Sequence, residues 1–148
     1  PLSAAAEELL RQIREDERVS GKIIIIGCSW AGLIARRLDA ENPGLVKMVV
    51  TIGTPSGGFG PDFVKFFFDA EDKKSETPLY VIAGYNSTVP GKLYMEEGEE
   101  NDGTVTLKSA LDLRGKKATE LRILKGLGHM ELFKSPEVIQ LVKSWVQK

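Results

Sequence analysis

Ser29, Asp102 and His129 carry a hydroxyl, a carboxylate and the chain's only imidazole, and they follow one another in that order. A serine hydroxyl is a weak nucleophile until a neighbouring base takes its proton, and imidazole is the side chain suited to that task near neutral pH. A carboxylate on the far side of the ring fixes its tautomer and stabilises the imidazolium that forms. Held within hydrogen-bond reach, the three can transfer an acyl group. Taken singly, each has a plainer use: Ser29 as a helix cap, Asp102-Gly103 as a turn, His129 as a packed polar residue after a strand.

What would bring them together is the arrangement of strands and helices. Ile23 to Ile26 form a β-branched run, the pattern of a parallel strand covered on both faces. Val46 to Ile52, Leu79 to Ala83 and Leu121 to Leu124 read as three further strands. Helical patterns lie between and around them. The first, AAAEELLRQIRE after a possible cap at Ser3, puts Leu9, Leu10 and Ile13 on one face. Gly32 to Ala40 turns Leu33, Ile34 and Leu38 inward and stops at Asn42-Pro43-Gly44. Pro61 to Phe68 reads as a short aromatic helix, and Leu107 to Leu111 as a helical turn. Pro136 to Val146 is amphipathic, with Val138, Ile139, Leu141, Val142 and Trp145 on its apolar side. Strands alternating with helices predict an α/β fold, a three-layer sandwich with a short, mainly parallel four-stranded sheet and right-handed crossovers. Ligands of such sheets bind at the C-terminal ends of the strands. Ser29 follows the first strand, Asp102 lies beyond the third, and His129 follows the fourth.

Global composition is consistent with one soluble domain, residues 1–148, with 42% apolar content to build a core. A net charge of −1 with scattered basic residues gives no reason to expect nucleic acid. The single cysteine, Cys28, excludes an internal disulfide and a cysteine-rich metal site. No apolar run approaches the roughly 20 residues of a membrane span. The chemistry set out above needs no cofactor and no metal.

From Lys22 onward the chain resembles the C-terminal half of an α/β-hydrolase, most like bacterial lipases and esterases. GCSWAG resembles the Gly-His-Ser-x-Gly-Gly nucleophile elbow of that family, and VVTIGTPSGG its strand ending in Gly-Thr-Pro-His-x-Gly. NDGTVTLKSA resembles the segment bearing the catalytic acid, and GLGHMEL the segment bearing the catalytic histidine. The resemblance implies Ser29 as nucleophile, Asp102 as acid and His129 as base, with the Trp30 backbone N–H helping to hold the oxyanion. It implies a small acyl ester as substrate. Cys28, Ala31 and Ser56 depart from the family pattern, which has His, Gly and His there. Only about twenty residues precede the elbow, so the expectation is a fold lacking its N-terminal strands, including the loop that supplies a second oxyanion donor.

Four further expectations follow. Gly27 and Ala31 are the small residues that let the helix after Ser29 lie close to the strand. Phe59 and Phe63 are candidates for an acyl pocket, although aromatics on a short helix more often belong to a core. Glu96, Glu97, Glu99 and Glu100 form an acidic loop, which by default is solvated rather than a calcium site. With its neighbours on one side missing, the Ile23–Ile26 strand should present an open edge for a second copy in a homodimer, or for a second chain. The rival to an esterase is a non-catalytic or engineered hydrolase-fold scaffold acting in binding or assembly.

Overall fold

In the computed structural model, which describes residues 2–58, 75–86 and 98–148, the apolar runs become four strands. They are β1 (Ile23–Cys28), β2 (Val46–Ile52), β3 (Leu79–Tyr85) and β4 (Glu120–Lys125). Their order in the sheet is β1-β2-β3-β4, and every pair is parallel. The helices among the described residues are α1 (Leu2–Glu15), α2 (Trp30–Glu41), α3 (Leu107–Leu111), α4 (His129–Leu132) and α5 (Pro136–Val146).

Because side chains alternate along a strand, the sheet has two apolar faces. Val49, Leu79 and Val81 pack against Ala6 of α1 and Ala35 and Leu38 of α2. Met48, Val50, Ile52, Tyr80 and Ile82 pack on the other side against Val138 and Trp145 of α5. The result is helix, sheet and helix in three layers. Covered on both faces, β2 and β3 need apolar residues at nearly every position, so they read as continuous runs. Val49, Val50, Leu79 and Ile82 are fully buried, each worth about 1.5–3 kcal/mol relative to exposure. Trp145 stacks at a tilt on Tyr80, ring centroids 4.9 Å apart, and its indole N–H donates to Glu120 at 2.9 Å. Among the described residues no helix is long and apolar enough to cross a membrane.

Several local expectations are corrected. β1 is the edge strand that was expected, but it is not fully covered on both faces: it is half-buried through Ile25, and Ile26 is 48% exposed. The apolar cluster sealed by α5 centres on β2 and β3, with Ile24 and Cys28 only at its margin. α1 begins at Leu2, which places Ser3 inside the helix rather than at its cap. Its expected face does pack on the core through the partly buried Leu9, Leu10 and Ile13, with Leu2 and Ala6 buried more deeply. On α5, Ile139 is 42% exposed. One residue turns a helix by 100°, enough to carry Ile139 off the face that Val138 and Trp145 define. The segment Pro61–Phe68, with Phe59 and Phe63, lies outside the described residues, as do Glu96 and Glu97 of the acidic loop.

Candidate active site

The backbone ladder runs one residue past the strands and so sets the roots of the loops. Ser29 N–H donates to Ile52 O at 2.8 Å, Gly53 N–H to Ile82 O at 2.9 Å, and Gly126 N–H to Tyr85 O at 2.8 Å. At Ser29 the chain reverses from strand to helix within one residue, with φ 52° and ψ −126°. A left-handed φ on a residue with a Cβ is strained, by about 1–3 kcal/mol, and persists only where the surroundings impose it. Here they do. A Cβ at Gly27 would lie 2.5 Å from the Cα and N of Gly32, and one at Gly32 would lie 2.0 Å from Thr54 Oγ1. The second close-approach residue is therefore Gly32, not Ala31, which is exposed. Ser29 occupies the N-cap position of α2, yet its side chain makes no capping hydrogen bond. The plain reading of Ser29 as a helix cap does not hold.

Asp102 sits in a tight loop closed by an antiparallel bridge between Asn101 and Thr106. Its Oδ1 accepts the backbone N–H groups of Thr104 at 2.9 Å and Val105 at 2.7 Å. Asn101 Oδ1 accepts Gly103 N–H at 2.8 Å, and Gly103 takes φ 95°, which its missing side chain permits. Asp102-Gly103 is thus the expected turn, but the turn uses only one carboxylate oxygen. Oδ2 is left to point at His129 Nδ1, 2.7 Å away.

His129 opens the four-residue turn α4, and its own N–H donates to Asp102 O at 2.7 Å. Backbone and ring are thereby tied to the same residue. A carboxylate only accepts, so the ring proton sits on Nδ1 and Nε2 offers its lone pair. Nε2 lies 3.0 Å from Ser29 Oγ. The side chain of Asp102 is 1% exposed and that of His129 10%, which keeps most water from competing for these bonds. The Phe133 ring meets the imidazole edge-on, centroids 4.9 Å apart. Three strand ends separated by many residues in sequence thus bring a hydroxyl, an imidazole and a carboxylate into one hydrogen-bonded line.

Two glycines beneath this line were not singled out by residue type. A Cβ at Gly53 (φ 56°) would stand 3.4 Å from both Asp102 Oδ2 and His129 Cε1. A Cβ at Gly84 would meet Leu132 at 2.8 Å. The motif Ile-Gly-Thr-Pro marked Gly53 in the sequence, but its closeness to the acid and the base appears only in three dimensions.

Cys28, beside Ser29, points toward the α5 side of the sheet. Desolvation pushes its thiol pKa up, away from the reactive thiolate. Iodoacetamide at neutral pH should alkylate Cys28 well below the rate of an exposed thiol, as followed by mass spectrometry, and Cys28→Ser should leave the Ser29–His129 geometry intact. Trp30, the first residue of α2, is 37% exposed beside Ser29. Among the described residues no group of three or more His, Cys, Asp or Glu is gathered to hold a metal.

No protein-family model and no curated protein matches this chain. Solved structures do. An α/β-hydrolase enzyme from a sediment metagenome of the Mar Chica lagoon, Morocco, superposes with a TM-score of 0.70 at 17% identity, covering 99% of this chain and 69% of that one. A carboxylesterase structure from the thaumarchaeon Nitrososphaera gargenis gives 0.67 at 15%, covering 99% and 71%. The Bacillus licheniformis lipase BlEst2 in mature form gives 0.61 at 18%, covering 97% and 71%. The chain spans 57% to 74% of the length of such neighbours. Helix, parallel sheet and helix in the same arrangement, nearly end to end, make this chain an α/β-hydrolase fold, shorter than its solved neighbours.

Proposed function

We propose that the protein is a carboxylic-ester hydrolase working through an acyl-enzyme. Ser29 Oγ attacks the ester carbonyl carbon while its proton passes to His129 Nε2. The tetrahedral oxyanion is held by the Trp30 backbone N–H at the start of α2, where the helix dipole also favours negative charge. His129 returns the proton to the leaving alcohol, the C–O bond breaks, and the acyl group stays on Ser29. Water, deprotonated by the same imidazole, then attacks the acyl carbon and releases the acid. Asp102 holds the ring throughout.

The observation that carries this reading is the line Ser29 Oγ–His129–Asp102, at 3.0 and 2.7 Å, ending on a serine with φ 52°. A cap or packing role for Ser29 explains neither its strain nor its partner. The neighbours described as lipases and carboxylesterases support the ester as substrate class. The test is a short-chain p-nitrophenyl ester mixed rapidly with the protein. A burst of p-nitrophenolate whose amplitude tracks protein concentration, followed by slow turnover, is the expected result. No burst at any concentration would favour the scaffold reading.

The same reading extends to assembly. β1 pairs only with β2 among the described residues, and its outer edge carries no proline and no charge between Ile23 and Cys28. Unpaired N–H and C=O groups on such an edge template another strand. A second copy joining β1 to β1 about a two-fold axis would satisfy both edges at once. Sedimentation velocity at micromolar concentration should therefore return a dimer. A monomer would leave this edge bare and overturn the assignment.

A further inference from the structure

We propose that Glu131 is the positioning residue that aims His129, an inference resting on the reading of His129 as the general base. The imidazole stands on α4, only four residues long. One helical turn fixes several dihedrals for very few hydrogen bonds and does not hold its shape unaided. Its underside is held by Leu132, fully buried against Gly53 and Gly84. Its N-terminal side is held by Glu131. The Glu131 carboxylate reaches back through Oε2 to accept the Gly128 N–H at 2.7 Å, while Gly128 O accepts the N–H groups of Glu131 and Leu132, each at 3.0 Å. This is one half of a capping box, with a backbone carbonyl where a serine side chain would complete it.

The consequence for His129 comes from the neighbouring peptide. Gly128 and His129 present consecutive N–H groups to two different acceptors, Glu131 Oε2 and Asp102 O, at 2.7 Å each. The two peptide planes that meet at the Gly128 Cα are thereby held, and with them the Cα–Cβ direction of His129. Gly128 is buried and sits against the acid loop, where an added Cβ would be 3.5 Å from Asp102 O. Without the carboxylate, the Gly128 N–H has no acceptor among the described residues. It must rotate toward water, and that rotation carries the imidazole off the line between Ser29 and Asp102. Glu131 itself is exposed, so its replacement leaves the core untouched.

His129 is the only histidine, so its Nδ1–H, shared with a carboxylate, gives a far-downfield proton resonance that needs no assignment. In Glu131→Ala that resonance should broaden or vanish at a temperature where the remaining amide spectrum stays folded. In parallel, kcat on a p-nitrophenyl ester should fall about 10- to 100-fold with KM little changed, the range expected for a misplaced catalytic group. Glu131→Gln, whose amide oxygen still accepts from Gly128, should restore both. An unchanged resonance and kcat in Glu131→Ala would overturn the proposal, and so would a Glu131→Gln variant as impaired as Glu131→Ala. If no ester is hydrolysed at all, the resonance alone decides the role of Glu131, separately from the fate of the esterase reading.

Discussion

Ser29→Ala is expected to lower kcat by about 10³-fold or more, toward the 10⁶ lost when a complete triad enzyme is stripped of its nucleophile. The more telling comparison is between single and double variants. In the proposed mechanism Oγ attacks the carbonyl carbon only as Nε2, 3.0 Å away, takes its proton, so the two residues work as one unit. His129→Ala should therefore cost about as much as Ser29→Ala, and the double variant no more than either. A serine-directed fluorophosphonate should label the parent once per chain, at Ser29, and leave Ser29→Ala unlabelled. Cys28→Ser should keep most of the activity, because the half-buried thiol packs on the α5 side of the sheet and desolvation holds it in the unreactive protonated form, whereas Nε2 of His129 is bonded to Ser29 Oγ. Activity surviving Ser29→Ala but dying with Cys28→Ser would reverse the two roles.

Gly27→Ala should be the most damaging single methyl in the described chain. The added carbon would sit 2.5–2.6 Å from three backbone atoms of Ala31 and Gly32, none of which can rotate away as a side chain would. Relief requires α2 to lift from β1. That movement would loosen Leu33, Ala35 and Leu38, all buried, and shift Ser29 at the head of the helix. A destabilisation of about 3 kcal/mol is expected, close to 10 °C in Tm for a domain of this size. Gly21→Ala is the control. Gly21 has φ +76° but nothing within 4 Å of its Cβ position, so it should lose only about 1 kcal/mol from backbone strain. Urea unfolding of the two variants measures the difference directly. Equal losses would mean that the tight approach of α2 to β1 does not exist in solution.

The two effects are linked by geometry. The close contact that makes Gly27 irreplaceable is also what forces Ser29 to φ 52°, and that strain lifts Oγ toward His129 and away from the helix it would otherwise cap. A variant that relaxes the turn should weaken catalysis even where it folds.

Much of this was legible in the residues themselves. β2 and β3 are apolar at nearly every position because two layers of helix cover them, and a run such as KMVVTI or LYVIA announces that without any knowledge of the fold. The parallel sheet followed from helices alternating with strands, and the sheet rule pointed to strand ends, where Ser29, Asp102 and His129 all lie. Those inferences hold because they depend on short-range periodicity, which each segment carries by itself.

What the sequence alone did not determine depends on neighbours. The open edge of β1 was expected from the chain, but four isoleucines look alike in sequence, and only the packing of the layers leaves Ile26 half in water. Ala31 and Gly32 are both small; only the crossing of α2 over β1 makes Gly32 the one pressed against Thr54. Ile139 fits the apolar pattern of α5 as well as Val138 does, but the sheet beneath reaches one and not the other. α4 is too short for any periodicity to announce, and the bond from Gly128 to Glu131 that shapes it is invisible in GLGHMEL. Residue types supply the donors, acceptors and apolar surfaces, whereas distances between segments far apart in the chain are set by how whole layers pack, and at 3 Å those distances decide which pairs meet.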